Sequence, residues 1–393
     1  MLTTLHVCSI CGSTELEEII SLPCLPLTGL YYPDLEKATA SPTFNQGLSL
    51  CHHCGHSQLT NYIDPSIVYD ESYTHRTSTS PLSTNGNDFL FNYIINNVSK
   101  EDLLLVLEAG CNDCYLLNRL QDFSIESSLY GFDPIWIDRN PCFQGLHVFG
   151  SFVEDINTTL PDIKPSLVIS AHTFEHVVHL RESLSKLVEF AAPSARFIIE
   201  MPSFDTLLRL KRFDQIFHQH VQYISESSIY ELIKQLKCSL NNISYNYNYW
   251  GGTVIFDFSK IATSDIFRPI LKPTKNTILK SFSAFERNFE VVSSSIPEHS
   301  DVSILGAAQM LPILIYHSKD WFDFKRILDD NPSRIGSFLP NTALPIESFS
   351  DYSTASSCNS SFVIGAVDST RALVLRSKQI GLPNVFSFFN SLI

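Results

Sequence analysis

This chain lacks long hydrophobic segments and any excess of positive charge. Its longest apolar stretch, Met310 to Tyr316, is far too short to cross a bilayer. Lysine and arginine together number 27, against 41 aspartate and glutamate residues, and the formal net charge is −14. Nucleic acids and anionic membranes bind to positive fields, so this charge balance argues against both as partners. It says nothing against an anionic small molecule held by local hydrogen-bond donors.

A secretory signal is also missing from the first residues, because Met1 to Val7 holds neither a basic segment nor a long apolar one. We therefore expect a cytoplasmic protein. Its ten cysteines suit a reducing compartment better than a disulfide framework. The length of 393 residues, of which 44% are hydrophobic, predicts two or three domains with large buried cores.

Four cysteines stand in two close pairs near the N-terminus. Cys8 and Cys11 form one C-x2-C pair, and Cys51 and Cys54 form the other. Each pair can offer two thiolates to one metal ion from a tight turn, and two pairs complete a closed tetrahedral Zn²⁺ site. We predict a structural zinc ion at these four residues; the alternative is a set of unrelated free cysteines. The reserve ligands that could replace one thiolate are His52, His53 and His56.

The middle of the chain alternates strand signals with helix signals. Short apolar runs predict five strands, at Leu103–Glu108, Leu129–Asp133, Leu146–Phe149, Ser166–Ala171 and Arg196–Glu200. Helices are predicted from Tyr115 onward and over Leu180–Phe190. Such alternation is typical of a doubly wound α/β sheet.

The last third of the chain predicts a second α/β unit. The predicted elements are a helix over Thr277–Ser294 and strands over Val302–Gly306, Arg334–Leu339, Ser361–Val367 and Val385–Phe389. We therefore divide the chain into a zinc-binding module over residues 1–70, a central α/β domain over residues 71–240, and a C-terminal α/β domain over residues 241–393.

The turn after the first central strand is a candidate cofactor site. Gly110 follows that strand directly and permits a tight turn that a ligand can approach closely. Glu108 precedes the turn, and Asp133 ends the next strand, where a carboxylate can accept hydrogen bonds from ribose hydroxyls. The three-glycine dinucleotide fingerprint is absent. Two acids without that fingerprint suit S-adenosylmethionine, which carries a ribose and a cationic sulfonium but no phosphate; the alternative is an ordinary strand-to-helix turn. Cys111 and Cys114 form a third C-x2-C pair, which we interpret as packed side chains rather than a redox pair.

Two groups of histidines are candidates for proton transfer. His172, Glu175 and His176 follow the fourth predicted strand, at the edge where open α/β sheets bind ligands. The alternative is a first helical turn exposed to water. His218 and His220 form an H-x-H motif whose side chains would share one face of a strand. A histidine base, a metal pair and a structural pair bonded to backbone carbonyls are all compatible with that motif.

Taken in order, these features resemble one family. The order runs from two cysteine pairs through an aromatic-containing polar segment, an E-x-G-x-N-D turn, G-x-D-P, E-H after a strand, E-x-P, H-x-H and G-G to a final α/β unit. The set is similar to the zinc-containing sugar C-methyltransferases that act on nucleotide-linked keto-deoxysugars, and it covers nearly the whole chain. The resemblance implies a central Rossmann-like class I methyltransferase domain and a C-terminal domain associated with the substrate. It also implies that a base forms an enolate before the methyl transfer.

The resemblance assigns roles by position. It implies that zinc is bound by Cys8, Cys11, Cys51 and Cys54. It implies that S-adenosylmethionine is held by Glu108, Gly110, Asn112 and Asp133, with Phe152 near the adenine, and we add His172 to this group. It implies that His220 is the general base and that His176 and Tyr73 lie near the sugar, and we add His218 to the catalytic group.

The sequence departs from the family pattern at three places. Cys114 stands where the turn usually ends in glycine. The family's Y-H-E-H reads Phe217-His218-Gln219-His220, which removes a tyrosine hydroxyl and a carboxylate. The turn at Gly306 lacks an expected basic residue. Two alternatives therefore stay open: a methyltransferase acting on oxygen or nitrogen of a small molecule, and an inactive protein that binds zinc and a nucleotide sugar.

Overall fold

The computed structural model describes residues 2–64, 76–139, 141–160, 162–260, 270–350, 352 and 359–389. Tyr73 lies outside the described residues, so its predicted place near the sugar stays a prediction. Within the described residues, no helix combines the length and the apolar character that a membrane crossing requires.

The N-terminal part of the chain forms an antiparallel sheet that binds a strand from further along the chain. Its strands, in spatial order, are β11 (Gln222–Tyr223), β4 (Ser57–Leu59), β3 (Thr43–Cys51) and β2 (Leu16–Pro26). A separate two-stranded sheet pairs β1 (Leu2–Thr4) with β5 (Asn61–Ile63), and the short helix α1 covers Leu35–Thr39. β11, which comes from residues assigned to the central domain, completes the sheet of the residues assigned to the N-terminal module.

A seven-stranded sheet organises the centre and confirms the predicted doubly wound α/β fold. Its spatial order is β12 (Ser239–Asn246), β13 (Thr253–Ser259), β10 (Arg196–Pro202), β9 (Leu167–Ala171), β6 (Leu105–Ala109), β7 (Ser128–Phe132) and β8 (Leu146–Phe149). The five predicted strands all form, and they pair in parallel; β13 runs antiparallel to both of its neighbours. The sheet extends to Ser259, past residue 240 where we divided the chain: β12 spans that residue, and β13 follows it.

Helices cover the central sheet, and they include the two predicted from Tyr115 onward and over Leu180–Phe190. They are α2 (Pro81–Asn97), α3 (Tyr115–Phe123), α4 (Ile156–Thr159), α5 (Leu180–Phe190), α6 (Phe204–Leu210) and α7 (Glu226–Gln235). In α5, Leu180, Leu184 and Leu187 are fully buried at a spacing of one helical turn, which places them on one face. That face packs in the core with β6 and β9.

The C-terminal part forms a five-stranded parallel sheet. Its order is β16 (Ile346–Ser348), β15 (Phe324–Asp329), β14 (Asp301–Leu305), β17 (Ser360–Ile364) and β18 (Val385–Phe386), with helices α8 (Lys275–Ser295), α9 (Leu311–Ser318) and α10 (Thr370–Gln379). The strand predicted over Arg334–Leu339 is wrong. That segment forms a turn, followed by two isolated bridges that join Phe338 to Tyr32 and to Pro345.

One hydrophobic core joins the N-terminal and C-terminal sheets. Leu25 and Leu48 of the N-terminal sheet belong to the same buried cluster as Phe285 and Phe289 of α8 and Ile304 of β14. A buried ion pair adds a polar link, since Arg212 binds Asp214 beside it and Asp368 in the C-terminal part. The N-terminal, central and C-terminal parts of the chain therefore pack against one another.

Candidate functional site

The four predicted zinc ligands lie together at the N-terminal end of the chain. The sulfur atoms of Cys8 and Cys54 are 3.6 Å apart, as are those of Cys11 and Cys51, and all four lie within 4.8 Å of one another. Four thiolates about 2.3 Å from a tetrahedral zinc ion would be about 3.8 Å apart. This sulfur-only donor set fits a closed structural zinc site.

Two of the reserve histidines have other partners. His52 Nε2 lies 2.8 Å from Glu17 Oε2, and His56 Nε2 lies 2.8 Å from Gln222 Oε1. His56 is completely buried, and burial lowers its pKa to about 4. These contacts connect the cysteine cluster to neighbouring strands, and the thiolates need no substitute ligand.

A cavity of about 1590 Å³ opens where the carboxyl ends of β6, β7 and β9 meet. Its wall includes Glu108, Asn112, Asp133 and His172, which follow or end these strands, and His220 from the turn before β11. Cavities for one small molecule usually measure about 300–1,000 Å³, so this space is large enough for two ligands side by side.

The turn after β6 and the end of β7 form the cofactor cradle, which consists of Glu108, Gly110, Asn112 and Asp133. Backbone hydrogen bonds hold it in place. Gly110 has φ +74°, and its N–H donates to Phe132 O at 2.9 Å. The Asn112 N–H donates to Asp133 Oδ2 at 2.9 Å, and the Ile135 N–H donates to Asp133 Oδ1 at 3.0 Å. These two bonds fix the carboxylate at the end of β7. Burial raises the pKa of Asp133, while the two backbone donors oppose that rise.

Glu108 presents an unsatisfied carboxylate oxygen to the cavity. Its side chain is 3% exposed, and Oε2 has no hydrogen-bond partner among the described residues. Burial is the main cause that raises its pKa well above the usual value, and the nearby Cys114 and Asp133 add to the rise. A buried oxygen without a hydrogen-bond partner destabilises the folded protein. A ligand that donates hydrogen bonds, as ribose hydroxyls do, would satisfy it. The predicted S-adenosylmethionine site therefore fits these residues.

Phe152 and His172 both line the cavity, at different depths. Phe152 is 43% exposed at the rim, where an aromatic ring can lie against a flat base. His172 has φ +52°, and its Nδ1 lies 3.0 Å from Glu175 Oε1. This contact joins His172 to Glu175. The role of His172 next to the cofactor stays a prediction.

A second cluster of ionisable groups stands in the same cavity. Glu175, His176 and His220 place one ligand-type atom each within 4.8 Å of the others. His176 Nδ1 lies 2.8 Å from Gln219 O, and the Val221 N–H donates to Glu175 O at 2.7 Å. The backbone therefore clamps the turn of Glu175 and His176 against the segment that carries His220.

Glu175 is completely buried, so the alternative of a water-exposed helical turn is wrong. Burial opposes its ionisation, but the hydrogen bond from His172 and the fields of His176 and His220 outweigh burial and lower its pKa to about 2. An anionic carboxylate consequently faces three imidazoles. Burial, together with the neighbouring His176, holds the pKa of His220 well below its usual range, so the ring is neutral at neutral pH.

The H-x-H motif does not lie on a strand, and its two side chains diverge. The segment turns before β11, which sends the rings in different directions. His218 is 4% exposed; its Nε2 lies 3.0 Å from Leu25 O, and Phe44 packs edge-on against its ring. His220 lines the cavity, whereas His218 is not among the described residues of its wall. The prediction of His218 as catalytic is therefore wrong, because it is a structural histidine bonded to a backbone carbonyl.

Gln219, the residue between the two histidines, is turned toward the N-terminal part. Thr28 Oγ1 donates to Gln219 Oε1 at 2.8 Å, and Gln219 Nε2 donates to Thr28 O at 3.4 Å. These two bonds occupy the amide. Glu175, the buried carboxylate on the neighbouring turn, is the acidic group whose field reaches His220.

Several cavity residues were not predicted from the sequence. Leu5, His6 and Val7 line it from the N-terminal segment, and Tyr249 and Trp250 line it from the loop before β13. A signal for the second pair is the following Gly251-Gly252. Trp250, Gly251 and Gly252 all have positive φ, so the chain turns sharply and presents the two rings.

Comparisons with known proteins agree with this geometry. A family model described as "Putative zinc binding domain" matches residues 8–69, and one described as "Methyltransferase domain" matches residues 89–239. The C-methyltransferase NovU of Streptomyces niveus is 23% identical over 268 residues, which cover 67% of this chain and 62% of that protein. This chain thus matches somewhat less than two thirds of the length of that relative.

Solved structures give a weaker likeness. A methyltransferase from Listeria monocytogenes has a TM-score of 0.36 and 10% identity, and covers 45% of this chain and 99% of its own. The magnesium protoporphyrin IX methyltransferase of Synechocystis, solved with S-adenosylhomocysteine, has a TM-score of 0.35 and 15% identity, with 48% and 89% covered. The matched domain and the cradle identify the centre of the chain as a class I S-adenosylmethionine-dependent methyltransferase domain.

Proposed function

Because the chain joins a zinc-binding domain to an S-adenosylmethionine-dependent methyltransferase domain, we propose that it methylates a carbon atom of a nucleotide-linked keto-deoxysugar. The observation that carries this proposal is that His220, a buried and neutral imidazole, lines the same cavity as the cofactor cradle. Methylation of carbon needs a base for a C–H proton, whereas methylation of a more acidic O–H or N–H group makes smaller demands on one. The relative named as a C-methyltransferase supports the same reaction class.

The residues of the cradle would hold the cofactor in a defined orientation. When bound, S-adenosylmethionine supplies a methyl group on a cationic sulfonium. Glu108 and Asp133 would accept hydrogen bonds from the ribose. Gly110 lets the backbone approach it closely, and Phe152 would cover the base at the rim.

His220 performs the proton transfer in this proposal. Its neutral ring nitrogen takes the proton from the carbon next to the ketone, and the electron pair of that C–H bond becomes an enolate on the sugar. The ring then carries a positive charge, which the anionic Glu175 stabilises across the cluster. A positioned base of this kind typically contributes about 10²–10⁴ in rate. Alignment of the cofactor and the sugar in the same cavity would supply much of the remaining rate enhancement.

The test compares the two histidines of the H-x-H motif. A nucleoside-diphosphate 4-keto-6-deoxyhexose is incubated in deuterium oxide, first without S-adenosylmethionine and then with it. We expect His220→Ala to lose both deuterium uptake at the carbon and methyl transfer, while calorimetry finds cofactor binding unchanged. The matched variant His218→Gln, which keeps a donor for the Leu25 carbonyl, should retain both reactions. Full turnover in His220→Ala would remove His220 from the mechanism.

The same experiment separates the alternatives. Methyl transfer to the sugar without loss of a carbon-bound proton indicates an oxygen or nitrogen acceptor. Absence of S-adenosylmethionine binding at high ligand concentration indicates the inactive binding protein, for which Gln219, Phe217 and Cys114 are the motivating departures.

A further inference from the structure

The cluster of Glu175, His176 and His220 has the composition of a metal site, separate from the four-cysteine site. Two imidazoles and one carboxylate are the protein ligands of many catalytic zinc ions and of mononuclear iron sites. Each residue offers one suitable atom, and these atoms lie within 4.8 Å of one another. The cysteine cluster offers sulfur only, so the two sites would differ in ligand chemistry.

Glu175 has an oxygen that is left for a ligand. The carboxyl group is completely buried, and Oε1 contacts His172 Nδ1 at 3.0 Å. Oε2 has no hydrogen-bond partner among the described residues. A buried carboxylate with one oxygen oriented by a neighbour and the other unsatisfied is the usual arrangement of a metal-binding carboxylate.

The hydrogen bonds of His176 also match those of a metal ligand. Metal-binding histidines commonly donate one ring N–H to a backbone carbonyl, which fixes the tautomer and the ring orientation. His176 Nδ1 lies 2.8 Å from Gln219 O, so the neutral ring carries its proton there. Its Nε2 is then the basic nitrogen, and it lies on the side of Glu175, 3.9 Å from Oε1.

His220 completes the set from the opposite segment. Its ring centroid lies 5.0 Å from that of His176, and it is 5% exposed. Zinc bound at about 2.0–2.1 Å would draw the three ligand atoms to about 3.3 Å from one another.

We propose that Glu175, His176 and His220 bind one zinc-class divalent ion that faces the cavity, and that this ion inhibits the enzyme by occupying the lone pair of His220. The inhibitory part rests on the proposed function, because only a base loses its activity in this way. The binding part depends on the three ligands alone.

The binding experiment uses the purified protein with its structural zinc in place. Zn²⁺ is titrated by calorimetry, and Co²⁺ is added as a spectroscopic probe. We expect one further ion per chain, with a Co²⁺ spectrum that lacks the thiolate charge-transfer bands of a cysteine site. Glu175→Gln and His176→Ala should each weaken this second ion tenfold or more, whereas His179→Ala, at the cavity wall outside the cluster, should not. Circular dichroism and S-adenosylmethionine binding check that each variant folds.

The outcomes keep the two proposals distinguishable. A second ion lost in Glu175→Gln and His176→Ala supports the site, and inhibition of methyl transfer at the same Zn²⁺ concentration supports its effect. Stoichiometry that stops at the structural ion, or a second ion unaffected by both substitutions, overturns the site. Failure to find methyl transfer at all contradicts the proposed function and leaves the calorimetric result to decide the metal site.

Discussion

Gly110 and Thr173 are packed so closely that a Cβ atom on Gly110 would lie 2.0 Å from Thr173 Oγ1. The Thr173 hydroxyl donates to Ala109 O at 3.1 Å, so it joins the end of β9 to the end of β6 at the cofactor cradle. We predict that Gly110→Ala abolishes measurable S-adenosylmethionine binding. The added methyl group must displace either the turn or Thr173, and both hold the cradle. Calorimetry with S-adenosylmethionine provides the measurement.

Gly336→Ala is the matched control for backbone strain. Gly336 also has positive φ, +83°, but nothing lies within 4 Å of an added Cβ. In both variants an alanine in the left-handed conformation destabilises the fold by about 1–2 kcal/mol. Only Gly110→Ala adds a collision, with Thr173. Equal cofactor binding in the two variants would show that the cradle tolerates the added methyl.

Glu108→Gln should weaken S-adenosylmethionine and S-adenosylhomocysteine equally, by about tenfold or more. The reason is that the ribose, which both ligands share, loses the carboxyl oxygen Oε2 that is buried without a partner among the residues that the structure describes. Titration of each ligand gives the two affinities, and Asp122→Asn, at an exposed position of α3, serves as the control. A loss confined to the cationic S-adenosylmethionine would instead place Glu108 next to the sulfonium.

Cys11→Ser should remove most of the structural zinc, which we expect at about one ion per chain. A hydroxyl is a poor zinc ligand, and the closed site keeps no spare position. Because metal binding and folding are coupled, the N-terminal part should also become sensitive to proteolysis. Metal analysis provides the measurement. Cys24→Ser, at an exposed cysteine outside the cluster, should keep the full metal content.

His317 should make the protein sensitive to acid. Burial, with a smaller contribution from Lys319, lowers its pKa to about 3, and its Nε2 has no hydrogen-bond partner among the described residues. The unfolded chain, with a usual value of about 6.5, binds the proton first as pH falls. The stability linked to His317 is therefore complete above about pH 6.5 and is lost progressively toward pH 3.

His317→Leu should remove this dependence. Between pH 7.5 and pH 4.5, the free energy of unfolding of this variant should fall by about 2–3 kcal/mol less than that of the wild type. The figure corresponds to one proton over the two pH units between 6.5 and 4.5, at about 1.4 kcal/mol per unit. Urea unfolding at the two pH values gives the difference, with His147→Leu, at the exposed position of β8, as the control. An identical fall in wild type and His317→Leu would contradict the assignment.

The periodic parts of the fold were predictable from the sequence. The helix over Leu180–Phe190 has its predicted bounds, and the five central strands appear within about two residues of theirs. Both follow from local apolar patterns, which record which face an element buries. The segment Arg334–Leu339 has a similar composition but forms a turn, because the position of its neighbours decides whether a short apolar run pairs as a strand.

The candidate site was only partly predictable. Spacing was enough for the four cysteines, since two C-x2-C turns need only meet to form one tetrahedral site. Spacing was not enough for the H-x-H motif, because side chains two residues apart share a face only on a strand. Here the motif turns, and His218 and His220 separate.

The sequence by itself determined the order of the domains, the alternation of strands and helices, and the residue types available to bind zinc and a cofactor. The tertiary structure decided which of those residues meet. Glu175 and His176 come from the end of β9 and His220 from the segment before β11, and only the folded chain brings them within 4.8 Å of one another. The physical reason is that local sequence fixes backbone preference and burial, whereas contacts between distant segments depend on how whole elements pack.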